Sequence, residues 1–181
     1  MNIFKMKATG VFVFAAILFI AGHAKVIGQQ ADERAPELPA GCEHLRPEGQ
    51  QVAFKVYASG VQVYWWNGTS WGFVGPIATL YADAGLRGKV GTHYGGPTWK
   101  SNSGSLVIGA RPLKCTPDPN SIQWLLLEAD ETDGAGIFNG VTYIQRVNTS
   151  GGIAPTTPGT IDGEQVSVPY TTEYYFYKKA D

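Results

Sequence analysis

Tyr64, Trp66, His93 and Trp99 are the residues whose types and spacing best suit a binding surface. Tyr64 and Trp66 share one face of an alternating run, and Trp99 falls beside a turn. Exposed indole and phenol planes suit the apolar C–H faces of sugar rings, and stacking supplies contact area at low entropy cost. On the neighbouring run Lys89–Tyr94, Lys89, Gly91 and His93 share a face. A lysine is seldom buried unpaired, so that face is read as the wetter one and His93 joins the surface. The same rings could instead fill a core or cap sheet edges. The expected ligand-binding set is therefore Tyr64, Trp66, His93 and Trp99, with a glycan or a cell-envelope component as partner.

Catalytic patterns are weaker, and no catalytic residue is assigned. Nucleophilic catalysis needs a Ser or Cys with a base and an orienting acid. Ser103-Gly104-Ser105 lies in a turn, and no Gly-x-Ser-x-Gly occurs. His93 with Asp83 could form a base–acid couple, and Asp83, Glu128 and Glu173 offer carboxylates for a glycosidase-like pair. An extracellular hydrolase using such a pair or His93 is thus the alternative to a non-enzymatic binding or structural module.

Cofactor and metal patterns are also thin. Asp133–Gly140 is glycine-rich, but it opens into the β-branched run Val141–Ile144 rather than the helix that a dinucleotide loop requires. Asp130, Glu131 and Asp133 could offer oxygens to calcium, yet the twelve-residue loop of an EF-hand is missing. Beyond residue 24 the only histidines are His44 and His93, with no zinc-ligand spacing. No cofactor and no metal are expected.

The elements that must position these residues read as strands. Val52, Phe54 and Val56 alternate with Ala53, Lys55 and Tyr57, and Val61, Val63 and Trp65 alternate with Gln62, Tyr64 and Trp66. Asn67–Ser70 turns the chain and Trp71–Val74 returns, a hairpin signal. Ile77–Ala82, Lys89–Tyr94, Leu106–Ala110, Val141–Asn148, Gln165–Tyr170 and Thr171–Lys178 continue the period of two. Ile122–Leu127 is almost continuously apolar, as in a strand covered on both faces. Ser150–Gly163, with Pro155 and Pro158, reads as a long loop. With no convincing period of 3.6, the expected fold is all-β, a single antiparallel sandwich or barrel of about eight to ten strands.

Composition and termini point outside the cytosol. Residues 1–24 carry Lys5 and Lys7, then the apolar core Thr9–Gly22, then small residues at a cleavage position, the layout of a secretory signal peptide. The core is about 14 residues, shorter than the roughly 18 that a spanning helix needs. Leu38–Cys42 superficially matches a lipidation site, but Cys42 lies twenty residues beyond that core, past Asp32-Glu33-Arg34. Cleavage would take the net charge from −1 to −3. Such a balance offers no electrostatic footprint for nucleic acid. No membrane span is expected after cleavage, and the oligomeric state is not legible. A Pro-rich segment, 25–51, would precede the all-β domain, 52–181. Cys42 and Cys115, the only cysteines, are expected to form one disulfide that pins this segment to the sheet. Its loop of about 73 residues corresponds to about 4 kcal/mol in the chain-entropy model. Asn67-Gly68-Thr69 and Asn148-Thr149-Ser150 match N-glycosylation acceptors.

The runs VAFKVYASGVQVYWWNGTSW, GTHYGGPTWKSNSGS, PDPNSIQWLLLEA, GIFNGVTYIQRVNTSGG and VSVPYTTEYYFY resemble the exported bacterial and fungal family catalogued as domain of unknown function 3455. The resemblance covers roughly residues 50–178 and implies an exported domain, secreted or periplasmic, with no established activity. Some fungal relatives carry a malate dehydrogenase label. This chain has neither a nucleotide fold nor the Arg/His/Asp set such chemistry would use. The family's Thr-His-Tyr and Pro-Thr-Trp motifs fall on Thr92-His93-Tyr94 and Pro97-Thr98-Trp99. Lys100 stands at the next position, which is often acidic in the family. The resemblance supplies no catalytic residues.

Overall fold

Strand follows strand with hardly any helix, and each new strand pairs antiparallel with the last until the eighth returns to the first. The computed structural model describes residues 33–180. Its strands are β1 (Gln50–Trp66), β2 (Trp71–Tyr81), β3 (Lys89–Tyr94), β4 (Thr98–Ser101), β5 (Leu106–Cys115), β6 (Trp124–Asp133), β7 (Tyr143–Gly151) and β8 (Gln165–Lys179). β8 pairs β1 from Trp65↔Gln165 to Gln50↔Lys179, so the single sheet closes into a ring, the barrel alternative of the expected fold. Closure leaves no unpaired sheet edge, the usual hazard of an antiparallel sheet.

Side-chain alternation sorts the strands into an inner and an outer face. Phe54, Val56 and Ala58 of β1 point inward beside Phe176, Tyr174 and Thr172 of β8. Leu80 and Ala78 of β2, His93 of β3, Trp99 of β4, Val107 of β5, Leu127 of β6 and Ile144 of β7 continue that inner layer. The expected 52–57 and 61–66 runs are thus one 17-residue strand. Trp71–Val74 and Ile77–Ala82 likewise merge into β2 through Gly75-Pro76. At the hairpin tip Asn67 Oδ1 accepts hydrogen bonds from the amides of Thr69 (2.9 Å) and Ser70 (2.8 Å), which is why this tetrapeptide turns.

The two ends of the ring differ. At one end the β6–β7 connection folds inward and Phe138 plugs the ring, 5.7 Å from Phe54 and 5.0 Å from Phe176 between ring centroids. Phe54 and Phe176 stack at 4.7 Å. The other end is bordered by the β1–β2, β3–β4, β5–β6 and β7–β8 connections.

Outside the ring, the segment before β1 packs on β6, β7 and β8. Cys42 is bonded to Cys115, with Cα atoms 5.6 Å apart, as the two-cysteine count implied. Leu45, in the short 3-10 turn Glu43–Leu45, is fully buried against Leu126, and its carbonyl accepts a 2.7 Å hydrogen bond from Gln145 Nε2. Leu126 therefore faces this segment while Leu127 faces the interior, so Ile122–Leu127 is covered on both sides. The signal-peptide expectation, residues 1–24, lies outside the described residues. Among the described residues no helix is long and apolar enough to cross a membrane.

Candidate functional site

The open end leads into a cavity of about 570 Å³. Gln62 and Tyr64 of β1, His93 of β3, Leu125 and Leu127 of β6 and Arg146 of β7 line its floor. Phe73 and Val74 of β2, the Gly95–Pro97 turn and Ile153 form its rim. In β1 and β2 the register shifts after Val63, so that Val63 faces Gly75 while Tyr64 faces Phe73, and Val74 is an extra residue. Such a bulge bends a strand and increases its twist, and here it sits where β2 reaches the mouth. Phe73 and Val74 remain more than half exposed.

His93 is 3% exposed, which corrects the expected wetter side. Strict alternation groups Lys89 with Gly91 and His93, but a register shift breaks it. Gly91 pairs with inward Leu80, Val90 is an extra residue, and Lys89 pairs with outward Tyr81 and reaches solvent. The imidazole stacks on Trp99 at 4.3 Å and meets Tyr174 edge-on at 5.1 Å. Its Nδ1 lies 2.9 Å from the Thr98 carbonyl oxygen. A carbonyl only accepts, so Nδ1 carries the proton and Nε2 is left as a lone-pair acceptor. Burial pushes the His93 pKa down to about 3; the Thr98 bond opposes this and the Arg146 charge adds to it. The ring is neutral at physiological pH.

Trp99 is 1% exposed, with Tyr174 and Phe176 edge-on to it. Gly109 makes room for it, since a Cβ there would lie 3.2 Å from Trp99 Cζ3 and 2.9 Å from Leu127 Cδ2. Trp66 is covered by the β7–β8 connection, where a Cβ on Gly159 would come within 2.5 Å of Trp66 Cγ. Tyr64 is buried too, its hydroxyl donating a 2.7 Å hydrogen bond to the Gly152 carbonyl. The four expected residues thus share the inner face rather than an outer surface. Tyr64 and His93 meet at the cavity; Trp66 and Trp99 do not line it.

Reading by strand parity missed the polar groups between them. Arg146 faces inward opposite Leu125 and Tyr174, and Nε and Nη2 both donate to the Gln123 carbonyl, at 3.0 and 2.8 Å. No carboxylate pairs with it among the described residues. Gln62 Nε2, Trp99 Nε1 and the hydroxyls of Tyr170 and Tyr174 are buried without a hydrogen-bond partner. The phenols interact with Arg146, with each other and with Gln62, but no hydrogen bond of good geometry forms among them. Burial raises both phenol pKa values, so both stay protonated. The available signal was Arg146 as the lone charged residue of the Val141–Val147 run.

The carboxylates that a hydrolase would draw on are dispersed. Asp83 pairs with Arg87 in the turn at the plugged end, Glu128 with Arg111, and Glu173 with Lys55 on the outer face. No Asp or Glu lines the cavity among the described residues, so His93 has no acid partner there.

A closed eight-stranded antiparallel ring with one plugged end and one cavity-bearing end defines the class: a small all-β domain with an interior cavity. A family model described as "Protein of unknown function (DUF3455)" matches residues 47–178. The chain belongs to this family. No curated protein and no solved structure matches it.

Proposed function

We propose that this domain is an exported binding module that takes a small envelope-derived or environmental molecule into the open end of its ring. The cavity of about 570 Å³, within the roughly 300–1,000 Å³ of ligand sites, carries the reading. Its apolar rim and its few convergent polar groups on the floor follow the same pattern. Tyr64 and His93 contribute the floor. Trp66 and Trp99 hold the inner layer that supports it. A glycan stacked on the outer surface by these four rings is less well supported, since His93 and Trp99 already occupy one another's faces. Export rests on the leader-like residues 1–24 and on the disulfide, which persists in oxidising compartments.

Titration with the neutral apolar dye N-phenylnaphthylamine tests the reading. One saturable site is expected, with emission raised by the apolar side chains of the lining. Gly95 lies at the mouth and a Cβ there would meet nothing within 4 Å, so Gly95→Trp adds a bulky ring at the entrance without a clash at the Cβ. It should abolish dye uptake while leaving the unfolding temperature unchanged. No uptake by the wild type, or equal uptake by Gly95→Trp, would reject the cavity as a binding site.

A further inference from the structure

We infer that the ligand is an amphiphile with a single carboxylate head, held by Arg146 and Gln62 at the cavity floor with its apolar chain directed toward Phe73, Val74 and Ile153. The inference rests on the cavity being a binding site and names what it selects.

The argument begins with the guanidinium. Its side-on edge, Nε and one hydrogen of Nη2, is spent on the Gln123 carbonyl. The end-on fork of Nη1 and Nη2 forms no other hydrogen bond of good geometry among the described residues, though the Tyr174 hydroxyl interacts with the guanidinium. That edge matches the two oxygens of a carboxylate. The Gln123 bonds hold the side chain in place before any ligand arrives, which lowers the ordering cost of binding.

Four buried atoms lack a hydrogen-bond partner, Gln62 Nε2, Trp99 Nε1, Tyr170 Oη and Tyr174 Oη. All four can donate, the two hydroxyls can also accept, and of the four residues only Gln62 lines the cavity. A buried donor without an acceptor is costly, and Gln62 lies 2% exposed on the floor itself. The cavity lining holds two cations, Arg146 and the rim residue Lys114, and no acid. In a protein whose net charge is −1, an acid-free lining around a half-buried arginine is a local reversal of sign. One interior cation matches a monoanion; a dianionic phosphate would bring a second charge that nothing on the floor neutralises. Leu125 and Leu127 beside Arg146, and the apolar rim above, supply the path for a hydrocarbon chain. His93 Nε2 is an acceptor on the same floor, and a ligand with a neutral hydroxyl head would use it instead.

Dodecanoate, dodecanol and dodecyltrimethylammonium have the same chain and differ in the head. Displacement of the neutral dye from the full, disulfide-bonded protein at neutral pH, below the micelle-forming range, should rank dodecanoate first by roughly tenfold or more, as a charge-assisted bidentate pair requires. Arg146→Gln should erase that advantage and leave dodecanol unchanged. Arg146→Lys keeps the charge but lacks the fork and should fall between. Gln62→Leu, which leaves Arg146 in place, should weaken dodecanoate alone and covers the case in which the arginine variants fail to fold. Equal displacement by dodecanoate and dodecanol, or dodecanoate binding that survives Arg146→Gln, would overturn the carboxylate assignment while the binding-module reading stands. Dye that no variant or wild type takes up would remove the reading itself.

Discussion

The plugged end and the open end of the ring are built from the same alternation yet treat their inward-facing residues in opposite ways. At the plugged end Phe54, Phe138 and Phe176 meet ring to ring. At the open end the corresponding layer carries Gln62, His93, Arg146, Tyr170 and Tyr174, several of them without partners. Burying apolar surface stabilises a fold, whereas burying unsatisfied polar groups costs free energy. Stability therefore concentrates at one end, and the other holds groups kept at the expense of stability. That contrast is the physical ground for looking to the open end for function.

The largest expected effect lies at the plug. Phe138→Ala removes a ring packed between two others and should cost about 3–5 kcal/mol in urea unfolding, while ligand discrimination at the far end persists. If this variant lost dye binding in proportion to stability, the two ends would be energetically one unit and the contrast would fail.

A smaller effect comes from acid. His93 is neutral when buried, with a pKa of about 3 against an ordinary 6.5. Between those values the unfolded chain binds more protons than the folded one, so stability is full above about pH 6.5 and falls as pH drops toward 3. By pH 5 the loss should reach about 2 kcal/mol. The groups facing His93 are Trp99, Tyr174, the Thr98 carbonyl and the Arg146 cation, and none is a carboxylate that could hold the imidazolium. Urea unfolding across this range should be flatter for His93→Gln. An unchanged slope would mean that the ring is protonated in the folded protein and that the open end is wetter than its packing implies.

Most strands were legible in the sequence and the two unlike ends of the ring were not, for reasons that individual residues make clear. Period-two alternation located β1, β2, β3 and β8 and the Asn67–Ser70 turn because such patterns are local. Cys42 and Cys115 could be paired because no third cysteine competes. β4, Thr98–Ser101, escaped notice because four residues hold too few alternations to register. Parity also cannot say which face looks inward. Lys89 argued for solvent, but the register shift at Val90 sets it on the opposite face from His93, and such a bulge is invisible to simple alternation. Arg146 lies on β7, paired with β8, while His93 lies on β3 across the ring. Their meeting at one cavity depends on closure of the β1–β8 seam, which no short window of sequence contains.

The smallest effect bears most directly on the contrast. Tyr170→Phe deletes one buried hydroxyl that has no partner, so the ligand-free protein should gain up to about 1 kcal/mol or stay unchanged, because the desolvation cost disappears with the group. A tyrosine in a conventional core, with its hydroxyl satisfied, would lose about that much instead. Tyr170 is 3% exposed and lies beside Tyr174, Gln62 and Arg146, so its phenylalanine variant should also bind dodecanoate more weakly than the wild type does. A gain in stability coupled to a loss in affinity is what a group retained for binding must show. A loss of stability larger than about 1 kcal/mol would mean that water already satisfies the hydroxyl. The open end would then be a hydrated core, balanced in the same way as the plug.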